Sequence, residues 1–172
     1  MPVTSTQIKT LVDVELSALH DTRVISHIQG LLVEPIVVLR EWDYGTPGQT
    51  YPCWSVLNHP KSNTGIAYCE FGFGPRSPWG LVWLSGESNM SIGMDSAWFK
   101  SFMDAYFESQ ASADLPIWRV FKQDEDSYPG TPLTEESDWD STWKEINRLR
   151  SADSKTRYHC YHTVAGAKCH CQ

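Results

Sequence analysis

Apolar positions along the first third of the chain recur at helical spacing and then switch to a strand-like run. Ile8, Leu11, Val12, Leu16 and Leu19 fall near one face of a helix over 5–19, with Ser5 or Thr6 as candidate N-caps. A second helix is predicted over 21–32, opening on Asp21 and carrying Val24, Ile25, Ile28 and Leu32 on one side. After Pro35 the β-branched run Ile36-Val37-Val38-Leu39 reads as a buried strand ending near Trp42.

Short strands follow, punctuated by turn residues. Thr46-Pro47-Gly48 precedes a strand over 51–57, and His59-Pro60 with Asn63-Thr64-Gly65 precedes one over 66–71. The Gly- and Pro-rich stretch 72–78 precedes a strand over 79–84. Turns at such intervals predict an antiparallel meander. Asp95 is the expected N-cap of a helix to Gln110, with Trp98, Phe99, Phe102, Met103, Tyr106 and Phe107 as its apolar stripe. A fifth strand is predicted at 117–121. The final helix runs to about Arg150, capped by Thr134 or Ser137, with Trp139, Trp143 and Ile146 aligned; 157–164 alternates as a last strand.

The expected fold is therefore α+β: a meander of about five to six strands packed with N-terminal, central and C-terminal helices. Its 172 residues fit one domain over 1–157, followed by a His/Cys-rich tail over 158–172. With 41% hydrophobic residues and eight Trp, the chain has material for an aromatic-rich core. No signal peptide or membrane-length apolar run is read, so a cytoplasmic, membrane-free location is expected. Five Cys in a reducing compartment read as thiols rather than disulfides.

Charge changes the functional picture. Of a net −7, seven acids and no Lys or Arg fall between Asp124 and Asp140, whereas 144–172 carries six basic residues against two acids. That sign argues against a nucleic-acid partner and for a basic protein. The candidate partner-binding residues are the acids Asp124, Glu125, Asp126, Glu135, Glu136, Asp138 and Asp140, with Tyr128 and Trp139 as aromatic anchors. The plain alternative is a solvated acidic loop.

Chemistry-bearing motifs are few. No Ser-His-Asp order, His-Glu-x-x-His or Gly-x-Gly-x-x-Gly is present, which makes an enzyme the less favoured class. Arg76, in a stiff Gly/Pro-rich loop, is a candidate anion- or ligand-binding residue, with Cys53 or Asp43 acting nearby in an enzymatic alternative; a structural ion pair of Arg76 is the competing reading. Cys53 and Cys69 sit mid-strand, where a buried, hydrophobe-like role is expected. Cys160, His162, Cys169 and Cys171 have the ligand chemistry for zinc or copper, although their Cys-x-His and Cys-x-Cys spacing is not that of ordinary zinc fingers. No other cofactor is expected.

Residues 42–100 resemble a group of small uncharacterised bacterial proteins, on Tyr51-Pro52-Cys53-Trp54, 62–68, Gly72-Phe73-Gly74-Pro75-Arg76-Ser77-Pro78-Trp79-Gly80 and Ile92-Gly93-Met94-Asp95. In general character the chain also resembles immunity proteins of bacterial polymorphic toxin systems: small, acidic, Trp-rich and without catalytic motifs. That resemblance implies neutralisation of a cognate basic toxin, possibly a nuclease, by direct binding. It assigns no residue.

Overall fold

The computed structural model describes residues 2–19, 21–41, 46–71, 76–86, 97–122, 132–136, 138–163 and 168–169. The fold is α+β with antiparallel sheets. Its contacts divide the chain into two compact units, 1–111 and 112–172, where the sequence suggested a boundary at 157/158. Each unit has its own sheet.

The first unit opens with α1 (Ser5–Ser17) and α2 (Thr22–Leu31). Thr4 caps α1 one residue before the expected positions, because Gln7 completes a capping box: the Gln7 amide donates to the Thr4 hydroxyl, and the Gln7 side-chain oxygen accepts the Thr4 amide at 2.9 Å. Asp21 caps α2 as anticipated. Five strands follow: β1 (Leu32–Glu41), β2 (Thr50–His59), β3 (Thr64–Tyr68), β4 (Trp79–Trp83) and β5 (Trp98–Phe99). They pair in chain order, an uninterrupted antiparallel meander. β1 takes in Pro35 rather than starting after it, which an edge strand tolerates because its outer amides need no partner.

The turn between β2 and β3 is a short 3-10 segment, Pro60–Ser62, closed by Asn63 in the left-handed region at φ 57°. Asn is among the few non-glycine residues that visit this region readily.

The expected helix over 95–110 is shorter. Its described part begins at α3 (Phe102–Glu108), capped by Ser101, and Trp98 and Phe99 instead pair with Gly80 and Trp79 of β4. Burial explains the substitution of strand for helix: the Trp98 ring lies against Gly80, which offers no side chain in its way. The predicted cap Asp95 lies outside the described residues. Ile8, Val12 and Leu16 of α1, Val24 and Ile28 of α2, and Phe102, Ala105, Tyr106 and Phe107 of α3 are buried, with Leu57, Ile66 and Trp79 of the sheet. α1 packs on β1 and α3, α2 on β2, and α3 on β3, β4 and β5.

The second unit comprises β6 (Trp118–Lys122), β7 (Pro132–Glu136), α4 (Trp139–Ala152), β8 (Tyr158–His162) and β9 (Lys168–Cys169). The sheet order is β7-β6-β8-β9, antiparallel throughout. β7 and β9 were not anticipated: acids and Pro132 gave 132–136 the look of a loop, and an edge strand can carry both. Asp138, rather than Thr134 or Ser137, caps α4, its carboxylate accepting the Ser141 amide at 2.9 Å. Ile146 of α4 packs with Val120, Tyr158 and Cys160, with Trp118 and Leu149 at the margin.

Candidate protein-interaction surface

Successive strand residues alternate faces, so Trp118, Val120, Tyr158, Cys160 and His162 share the face of the second sheet on which α4 packs. On that face four aromatic rings form a continuous row. His162 lies 4.6 Å from Trp118 between ring centroids, Trp118 lies 4.8 Å from Trp139, and Trp139 stacks on Trp143 at 5.8 Å with 22° between planes. The row begins half-buried in the sheet and ends at the start of α4, where Trp139 and Trp143 remain 40% and 39% exposed. Trp139 and Trp143 meet because four residues bring side chains onto the same helix face.

Burial lowers the His162 pKa, which disfavours the cation and suits the ring to a role as an aromatic face. A row anchored at one end in the sheet holds its exposed indoles with little rotamer freedom left to lose on binding.

The acids around this row have different duties. Asp138 is spent on capping: it accepts the Ser141 amide and hydroxyl, and these bonds hold its carboxyl below the usual range. Glu135 stands directly across from Arg119 on β6, and Arg119 is buried, so the sheet sets opposite charges on neighbouring strands. Glu136 stands across from Trp118, half-buried at the foot of the aromatic row. Asp140 is exposed in the first turn of α4. Leu133 of β7 is also exposed. Asp124, Glu125, Asp126 and Tyr128 lie outside the described residues. Trp143 was aligned with Trp139 by periodicity, but nothing in the sequence revealed that Trp118 and His162 continue the same row, since this depends on the β6–β8 pairing.

The other candidates are dispersed. Cys160 is fully buried among Val120, Ile146 and Tyr158, which gives it the surroundings of a small core residue. It shares a face with His162, as alternation required, but the His162 ring packs at a tilt against Trp118. The backbone of Cys169 pairs with Cys160 across β8 and β9; Cys171 lies outside the described residues. Among the described residues no group of three or more His, Cys, Asp or Glu gathers as a metal site. Arg76 is exposed in the turn before β4. Asp43 lies outside the described residues.

The first unit has a shallow cleft of about 470 Å³ lined by Val3, Thr6, Thr10, Leu11, Tyr68 and Glu70, and a smaller one of about 230 Å³ between α1 and β1. Neither Arg76 nor Cys53 lines them. Cys53 and Cys69 are both buried, and Arg40 is buried beside Cys53, its guanidinium donating to the Trp83 carbonyl at 2.7 Å and the Ser55 hydroxyl at 3.1 Å.

No helix among the described residues is long and apolar enough to cross a membrane. No protein-family model, curated protein or solved structure matches this chain.

Proposed function

We propose that this chain is a binding protein of the immunity type, which neutralises a basic toxin domain by covering it with the surface around the start of α4. The observation that carries the reading is the exposed indole pair Trp139–Trp143, braced from beneath by Trp118 and flanked by Asp140 and Glu136. Trp is among the residues most enriched at binding hot spots, and acids beside it raise the encounter rate with a cationic partner. Asp138 is spent on the cap and Glu135 stands across from Arg119 on the other face of the sheet, so Asp140 and Glu136 are the acids this surface offers among the described residues.

The test is binding to a panel of purified basic nuclease-type toxin domains at low and at physiological salt, with titration calorimetry for affinity and stopped-flow fluorescence for the association rate. Replacing Trp139 and Trp143 together by Ala is expected to weaken binding by about 2 kcal/mol or more, roughly thirtyfold. Reversing Glu136 and Asp140 to Lys is expected to slow association and flatten its salt dependence. Asp138 is left unaltered because its loss would fray α4. Undiminished affinity in the double Trp variant removes the proposed surface.

A further inference from the structure

We propose that Cys53 and Cys69 form a peroxide-oxidisable dithiol that closes into a disulfide between β2 and β3. This inference concerns the first unit and is independent of the binding surface around α4.

The geometry comes from strand register. β2 and β3 pair Trp54 with Tyr68 and Ser55 with Ala67, so the next step sets Cys53 opposite Cys69. Cys69 still belongs to the sheet, since its amide donates to the Pro78 carbonyl at 2.8 Å. Directly opposed residues of an antiparallel pair have Cα atoms about 4.5 or 5.5 Å apart. Disulfides span about 4.4–6.8 Å between Cα atoms, so the bridge requires no large movement of either strand. Both thiols lie in one buried cluster with Ala67, Val82 and Trp98.

The two thiols are unequal. The Cys53 thiol donates to the Cys69 sulfur, which pushes the Cys53 pKa up and draws the Cys69 pKa down; the Phe71 amide also stabilises the Cys69 thiolate. Cys69 lies just past the last residue of β3, at the end where the oxidant enters, and is the nucleophile; Cys53, inside β2, is the resolving thiol. The buried Arg40 charge favours the thiolate of Cys53 when its turn comes.

The oxidant is hydrogen peroxide, small enough to enter on brief opening at the end of β3. The Cys69 sulfur attacks one peroxide oxygen, the O–O bond breaks, and Cys69 becomes a sulfenic acid as the leaving hydroxide takes the Cys69 thiol proton and departs as water. Cys53 then attacks the Cys69 sulfur: the S–S bond forms, the S–O bond breaks, and the departing hydroxide takes the Cys53 proton. In sum, two thiols and one peroxide give one disulfide and two waters.

The test treats the intact native protein with hydrogen peroxide, removes the excess with catalase, denatures, alkylates with N-ethylmaleimide and maps peptides by mass spectrometry. The expected result is loss of two alkylatable thiols and of two hydrogens, a linked Cys53–Cys69 peptide, and recovery of both thiols with dithiothreitol. In Cys53→Ser, Cys69 is expected to stop at the sulfenic acid and react with dimedone. Should that variant not fold, the wild-type map decides alone. Alkylation of both cysteines after peroxide, or a link that forms as fast in guanidine as in the native protein, overturns the proposal.

Discussion

At the scale of single residues, the first unit depends on what is missing at Gly80. A Cβ built there would lie 2.6 Å from the Trp98 ring, well inside contact distance. Trp98 is itself buried, so the ring cannot swing away without opening a void. Gly80→Ala is accordingly expected to cost about 1–3 kcal/mol through overpacking, seen as a lower urea midpoint with an unchanged slope. An unshifted midpoint would show that the indole does not rest on this glycine. Gly65 is constrained differently, because its nearest neighbour is backbone: a Cβ would meet the Leu57 carbonyl oxygen at 2.5 Å. Neither constraint is legible in the sequence, where both glycines read only as strand interruptions. The same holds for the Cys53–Cys69 pair. Near the turn the register sets His59 against Thr64 and Asn58 against Gly65, which, continued, would bring Glu70 opposite Cys53. An irregularity between Ser55 and Leu57 shifts the pairing by one residue and brings Cys69 there instead.

At the scale of elements, α3 is too short to stand on propensity and relies on its neighbours. Glu15 of α1 supplies part of its cap: the carboxylate accepts the Phe102 amide at 3.0 Å and the Met103 amide at 2.8 Å, and Ser101 accepts the Asp104 amide at 3.0 Å. Three of the orphan amides of the first turn are thus satisfied. Burial raises the Glu15 pKa, and Asp104 adds to the rise, while the two amides oppose it and do not cancel it. The folded state therefore holds this proton more tightly than the unfolded chain does. The contribution of Glu15 to stability is greatest below the ordinary carboxyl value and declines as pH rises through the raised folded value. Glu15→Gln cannot ionise, keeps one acceptor and loses the other. It is expected to be the less stable protein in acid, with the gap to wild type closing toward neutral pH. Urea unfolding of both proteins across that range measures it, and parallel curves would show that the Glu15 proton is not linked to folding. Sequence periodicity located α1, α2 and α4 well because each carries its own cap and apolar stripe. It overextended α3 because the aromatic spacing runs on through Trp98 and Phe99, whose strand conformation is dictated by β4 and not by local sequence.

At the scale of the whole molecule, the α+β meander was readable from turn residues and strand lengths, but the division into two sheets was not. Nothing in the composition changes at 111/112, and the second sheet takes its outer strands from segments that look like an acidic loop and a frayed tail. The candidate surface was legible to the same degree: the acids and Trp139 stood out, whereas the support from Trp118 and His162 arises from long-range pairing. The second unit also buries few large side chains in the cluster beneath α4, with Ile146 at its centre. A unit of this size buries a smaller share of its surface than a larger one and has little stability to spare. Ile146→Ala leaves a cavity in that cluster and is expected to cost about 2–5 kcal/mol. Because its contacts lie with β6 and β8, the loss should fall first on the second unit. Hydrogen exchange followed by mass spectrometry should find β6, β8 and α4 exchanging faster, with β2 and β3 of the first unit much less affected. Equal acceleration in both units would mean that the two sheets unfold as one. Should the expected pattern hold, the same variant would also weaken the partner binding proposed above without touching an exposed residue, since the Trp139–Trp143 pair is only as rigid as the helix that carries it.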